Sequence, residues 1–302
     1  MKALLRAFAV TAASCAIIVI LTFTFAFIKK IWFGRAQIKK GHVAVLDVNG
    51  IILSSSSFLR ELEERLENPA VKALVIRINS PGGLVAPSQE IFEALKKTDE
   101  KIPVYVSMGA LSASGGYYVA LGGRKIYANP GTLTASIGVI MEFVNVNKLY
   151  QWAKIERYAL KAGKFKDIGS PFRAMTPEER ELLDRLLSDI HQQFKFTVKE
   201  RRKLGDEQLE MVTDGRIMSG HQALQTKLVD ALGGSEDAIR DAKKAAGLPE
   251  TAYVDYPESK TGLLRKILWG DSESIFDILS HFNTANFSSG WRVLLLAPLA
   301  FN

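Results

Sequence analysis

Two serines stand just before two glycines in "SASGGYY" (112–118). A serine hydroxyl is a nucleophile once a base takes its proton. Gly115 follows Ser114, so its N–H can point to the place the Ser114 hydroxyl reaches, and a helix starting here aims its positive end at developing negative charge. The same residues also suit plain helix capping by Ser112 or Ser114. A second stretch, "RINSPGG" (77–83), follows the most apolar run of the chain. There Pro81 stiffens a turn, and Gly82 and Gly83 let the backbone come close to a ligand and offer N–H groups to an oxyanion. A third, "KAGKFKDIGSPFR" (161–173), carries Lys161, Lys164 and Lys166 beside Asp167. It reads either as a solvated basic loop or as the source of a base. A lysine enclosed by apolar side chains such as Phe165 and Ile168 loses its proton more easily, because desolvation disfavours the ammonium.

Other chemistries find little support. The four histidines, His42, His191, His221 and His281, lie away from the serine-glycine stretch in sequence. No His/Asp/Glu cluster has metal-ligand spacing, and no glycine-rich phosphate loop is present. We therefore expect no cofactor and no metal. Cys15 is the single cysteine of the 302 residues, so no intrachain disulfide can form. The net charge of +7 comes partly from the segment after an apolar run at 7–28. Without aromatic-basic interleaving it suits contact with anionic lipid rather than nucleic acid.

Elements that would position these stretches follow from hydrophobic periodicity. Strands are expected at 42–52, 71–79, 102–109, 125–130 and 252–256. Helices are expected at 57–68, 86–98, 113–123, 176–204, 220–228 and 235–246. Leu59, Leu62 and Leu66 would form the buried face of the first helix, and Thr176 with Glu179 reads as a capping box. Strand and helix alternating in this rhythm imply an α/β fold of βαβ units around a parallel sheet.

Residues 7–28, uncharged over 22 positions, are long enough to cross a bilayer. Their bulky exit into Lys29 and Lys30 reads as an uncleaved anchor rather than a processed leader. The expected organisation is an anchor (1–30), a basic linker (31–41), a catalytic domain (42–257) and a tail (258–302). "WRVLLLAPLA" (291–300), within the tail, is too short to span and reads as a packing, oligomer or interfacial segment. Lys29, Lys30, Arg35, Lys39 and Lys40 outnumber Lys2 and Arg6 across the span. That bias alone would keep the body in the cytoplasm.

"NSPGG", "SASGGYY", "TASIGVI" and "GKFKDIGSPFR", in that order, resemble the signal peptide peptidase A family in its short form. "GRIMSGHQALQTKLVDALGG" (215–234) is similar to that family as well. The resemblance spans roughly residues 42–256. It implies the fold shared by the Clp protease subunit and the crotonases, and a membrane-anchored serine endopeptidase with a Ser/Lys dyad. By position, Ser114 matches the nucleophile and Lys166 the general base, while Lys161 and Lys164 do not align with that role. Gly83 and Gly115 match the oxyanion donors, with Gly82 supporting the turn. Ser136 matches a serine that orients the lysine, and Ala135 stands where "TGSIG" is common in the family. The resemblance further implies remnant signal peptides as substrates and assembly into a homo-oligomer. It implies a bacterial inner-membrane location with the catalytic body outside the cytoplasm, against the charge bias. Alternatives are a quality-control protease of the same clan acting on membrane proteins, an inactive membrane scaffold, and an acyl-CoA enzyme of the crotonase type.

Overall fold

The computed structural model describes residues 41–257 and the short strand Leu294–Leu296. The expected anchor, the linker up to residue 40 and the rest of the tail lie outside the described residues. Among those described, no helix is long and apolar enough to cross a membrane.

The chain alternates as the periodicity demands. Strand β1 (His42–Asn49) leads to α1 (Ser56–Leu66), then β2 (Val71–Ser80), a short β3 (Gly82–Leu84) and α2 (Val85–Asp99). Strand β4 (Val104–Ala113) turns into α3 (Gly115–Ala120), followed by β5 (Lys125–Ala128) and β6 (Leu133–Ala135). An exposed segment with α4 (Asn147–Trp152) precedes the long α5 (Pro177–Arg202) and α6 (Asp206–Val212). Then come β7 (Ile217–Ser219), α7 (Gly220–Gln225), β8 (Ala231–Leu232), α8 (Ser235–Ala245), β9 (Val254–Asp255) and β10 (Leu294–Leu296).

The main sheet runs β7-β6-β4-β2-β1-β9, with β5 and β8 branching from β4. Every pairing in it is parallel except β6 with β7. Parallel sheets need both faces covered, and both are. On one face Leu46, Leu74, Ile76, Val106 and Met108 meet Ile91, Phe92 and Leu95 of α2 and Phe194 of α5. On the other, Val43, Val45, Ala73 and Val75 meet Ala238, Ile239 and Ala242 of α8. The alternation of Val43/Val45 against Ala44/Leu46 is the two-residue period of a strand sending side chains to opposite faces.

Three expectations are corrected. On α1 the buried side chains are Phe58 and Leu62, while Leu66 is exposed. Strand β4 runs to Ala113, beyond its expected end at 109, because Leu111–Ala113 gains a second partner in β6. The helix expected from 113 consequently begins only at Gly115. The expected capping box of α5 is present, with Thr176 Oγ1 accepting from the Glu179 N–H and the Glu179 carboxylate accepting from the Thr176 N–H.

Candidate active site

Strand β4 is double-edged. Its first half pairs with β5, and its last residues pair with β6, which brings Ala113 opposite Ala135. The next residue, Ser114, must reverse the chain into α3 within one step. It does so with φ 53° and ψ −116°. A residue with a Cβ avoids that region, at a cost of about 1–3 kcal/mol, and such strain persists only where the surroundings enforce it. The enforcing bonds are local. The Ser114 N–H donates to Ala135 O at 2.8 Å, and Ser114 O accepts from the Tyr118 N–H at 2.9 Å. Tyr117 and Tyr118 then lock α3 into the core. Tyr117 Oη donates to Leu228 O at 2.9 Å, and burial pushes the Tyr117 hydroxyl well above its ordinary pKa. Tyr118 Oη lies 2.9 Å from Thr197 Oγ1, and its ring sits 4.8 Å from that of Phe194.

Ser114 is fully buried, and its Oγ has no hydrogen-bond partner among the described residues. Ser112 Oγ shares both properties. The backbone separates them. Ser112 lies within β4, paired with Thr134 and bonded through its carbonyl to Thr134 Oγ1 at 2.7 Å. Ser114 alone sits at the strand-to-helix elbow, where a hydroxyl projects toward the helix start.

The "SPGG" turn is brought against this elbow. Ser80 Oγ accepts from the Gly82 N–H at 3.1 Å and donates to Gly50 O at 2.6 Å, fixing the turn, and Gly82 takes φ 102°. A Cβ on Gly115 would lie 3.1 Å from Gly83 N and 3.2 Å from Gly82 Cα, so the Gly83 amide and the start of α3 are in close approach. Gly82 O and Leu84 N bond to Ile52, at 2.9 Å and 2.8 Å. Successive strand residues present their N–H groups to opposite edges, so the Gly83 N–H faces away from Ile52. That other edge carries β10, antiparallel, with Leu295 opposite Gly83 and Leu296 opposite Gly82. As the first residue of α3, Gly115 has an N–H with no carbonyl one turn earlier to receive it.

Ser136 joins the same region through the backbone. It is buried, takes φ 52° directly after Ala135 at φ 64°, and donates its N–H to Arg216 O at 2.8 Å. Sequence reasoning missed β6 as an element. Its signal, Leu-Thr-Ala between Gly131 and Gly138, is too short for periodicity to register.

Lys166 lies elsewhere in character. It is exposed, on the coiled stretch between α4 and α5, and the apolar enclosure expected from Phe165 and Ile168 is not formed around it: both are only half-buried. Its neighbours are engaged. Lys161 pairs with Asp167, and Lys164 pairs with Glu178 while sitting over the Phe165 ring. Lys166 is the one of the three whose ammonium has no ion pair or hydrogen bond among the described residues. Among those residues there is also no His/Cys/Asp/Glu group able to hold a metal. The elbow and the SPGG turn can therefore supply a buried hydroxyl and backbone N–H donors, while the amine of Lys166 stands exposed on a separate stretch of chain.

Residues 96–249 match peptidase family S49. A candidate protease of Synechocystis sp. is 41% identical over 246 residues, spanning 80% of this chain and 88% of that protein. A candidate signal peptide peptidase of Enterococcus faecium is 31% identical over 258 residues, spanning 78% of this chain and 75% of that one. The chloroplastic serine protease SPPA of Arabidopsis thaliana is 33% identical over 236 residues, spanning 78% of this chain and 34% of that protein. Among solved structures, a point mutant of the 1510-N membrane-bound stomatin-specific protease covers 73% of this chain and 99% of its own, with TM-score 0.45 and 17% identity. The extent of the sequence matches settles the class of the molecule: the chain belongs to peptidase family S49, the signal peptide peptidase A family of serine peptidases.

Proposed function

We propose that the protein is a membrane-anchored serine endopeptidase that cleaves remnant signal peptides and other apolar peptides with a Ser114/Lys166 dyad. The observation that carries the reading is the Ser114 elbow: a strained, buried serine whose Oγ has no partner among the described residues, beside the close approach of Gly83 and Gly115. Lys166, as the available amine, accepts the Ser114 proton while Oγ attacks a peptide carbonyl. The Gly83 and Gly115 N–H groups receive the oxyanion, and Lys166 then protonates the leaving amine. Water releases the acyl group by the reverse sequence. Ser136, close to the elbow through Ala135, serves to orient the lysine. No cofactor is required by these steps.

The mode of peptide binding draws support from β10. An edge that accepts Leu294–Leu296 as an antiparallel strand has the geometry to accept an extended substrate in the same way. Apolar substrates suit that edge and suit an enzyme held at the inner membrane by residues 7–28, with its catalytic body outside the cytoplasm. Assembly of copies accounts for the exposed Lys166. The same stretch of chain exposes Val144, Leu149, Trp152, Ile155, Tyr158 and Leu160, with Tyr158 87% and Leu160 97% exposed. A homo-oligomer that buries these side chains would also enclose Lys166 and favour its neutral form.

The full chain reconstituted in lipid vesicles tests this reading. It should cleave an apolar signal-peptide sequence, and Ser114→Ala should not. Equal cleavage of a polar peptide of the same length would overturn the substrate class, and unchanged cleavage by Ser114→Ala would overturn the nucleophile.

A further inference from the structure

The stretch that carries Lys166 has no strand or long helix to hold it. It is coiled through local turns, with the Lys166 N–H donating to Gly163 O at 3.3 Å, Ile168 N–H to Phe165 O at 3.1 Å and Ser170 N–H to Asp167 O at 3.0 Å. Such turns shape a loop but do not fix where it sits. A general base must be placed to within a fraction of an ångström of its proton. Something else has to tie the loop to the core.

Arg173 has the geometry for that task. Its Nε donates to Asp167 Oδ2 at 2.8 Å and one Nη donates to Asp167 O at 3.2 Å. On the other side its two Nη atoms grip both oxygens of Glu179, one at 2.8 Å and one in a still closer contact. A fifth bond runs to Ala174 O at 3.0 Å. A guanidinium has five N–H donors in a rigid fork, and all five are used. Glu179 is no surface anchor. It is buried, it closes the capping box of α5 with Thr176, and Arg173 with the Thr176 N–H holds its carboxyl down to about 2. Asp167, the residue after Lys166, is likewise held well below the carboxylate range by Arg173 and Lys161.

The far end of this tie leads back to the nucleophile. Helix α5 is seated in the core by Phe194 and Val198, and its Thr197 meets the Tyr118 hydroxyl. Tyr118 belongs to α3, the helix that starts at Ser114. His191 of α5 also reaches Ile137 O at 3.1 Å, next to Ser136. One helix thus braces both the serine elbow and the loop that carries the lysine.

We propose that Arg173 is the positioning residue for Lys166, holding it through Asp167 against the buried carboxylate of Glu179. The proposal rests on Lys166 being the base. Asp167 distinguishes it from mere capping of α5, because Asp167 takes no part in the capping box. Arg173→Gln, Asp167→Asn and the double variant would be made in the full chain, with Lys166→Ala alongside. For an apolar peptide, each single variant should lower kcat by roughly 10²-fold, the loss expected when a catalytic group is misplaced by about an ångström. KM should stay within about threefold. The double variant should be no slower than the worse single one, because the two residues act as one link. Parent kcat in Asp167→Asn would overturn the proposal, even if Arg173→Gln melts at a lower temperature. If Lys166→Ala keeps its activity, the base assignment falls and the proposal with it. If Lys166→Ala is inactive while Asp167→Asn is not, the positioning role alone fails.

Discussion

The Ser114 amide donates to the Ala135 carbonyl at 2.8 Å, and both residues sit at positive φ. The bond pins the strand-to-helix elbow to the end of β6, so the strain at one site is held by the strain at the other. Ala135 tests the balance. Replacing it by glycine relieves a left-handed conformation that costs about 1–2 kcal/mol. It also removes a buried methyl worth about 0.8 kcal/mol and adds about 0.5–1 kcal/mol of backbone entropy. These offset, so denaturant unfolding should place Ala135→Gly within about 1 kcal/mol of the parent. Ala135→Val combines a β-branched side chain with positive φ in a filled site and should lose at least about 2 kcal/mol. A well-folded, fully stable Ala135→Val would contradict the conformation.

Gly115 has room for a backbone but not for a side chain. An added Cβ would lie 2.7 Å from Ser88 Oγ, itself tied to Leu84 O at 2.9 Å, and 3.1 Å from Gly83 N. Gly115→Ala should therefore disturb the two N–H donors and lower kcat/KM by roughly 10²–10³-fold, the loss seen on removing one oxyanion donor. Peptide hydrolysis within twofold of the parent would show that the oxyanion is stabilised elsewhere.

The Arg173–Glu179 link should appear in the acid limb of stability. Arg173, together with the Thr176 N–H, lowers the Glu179 carboxyl from 4.5 to about 2 in the folded protein. A depressed carboxylate stabilises the fold above its unfolded value, and that contribution is lost as pH falls through the folded one. Thermal unfolding of the parent should thus weaken between about pH 4.5 and 2. Glu179→Gln should be less stable than the parent at neutral pH and should lose less of its stability across that window. An identical acid limb in both proteins would contradict the link.

Strand β10 occupies the edge of β3 that faces the elbow. An extended peptide binding there must displace it. Leu295→Pro removes an N–H and resists the strand, so it should raise kcat/KM for a peptide substrate, chiefly through a lower KM. An unchanged or higher KM in Leu295→Pro would place substrate on a different edge.

Much of this arrangement is legible in the sequence. The apolar runs of β1, β2 and β4 and the capping box of α5 are local signals, and each produces the element its pattern implies. Gly82–Leu84 reads as a turn, because glycine has poor strand preference and its partners, Ile52 and Leu294–Leu296, are remote in sequence. The end of β4 at Ala113 is set by β6 for the same reason. Lys166 shows a different limit. Its neighbours Phe165 and Ile168 are apolar in sequence, but whether they enclose it depends on what covers an exposed segment. Arg173 closes the "GKFKDIGSPFR" stretch, but its six-residue spacing from both Asp167 and Glu179 gains meaning only when the loop folds back onto α5.

The most direct test of the dyad compares peptide hydrolysis by the full chain with Ser112→Ala, Ser114→Ala and Lys166→Ala, with folding checked by thermal melts. The account predicts near-parent turnover in Ser112→Ala and a loss of several orders of magnitude in Ser114→Ala and Lys166→Ala. Turnover surviving in Ser114→Ala, or abolished in a folded Ser112→Ala, would mean that the elbow serine is not the nucleophile.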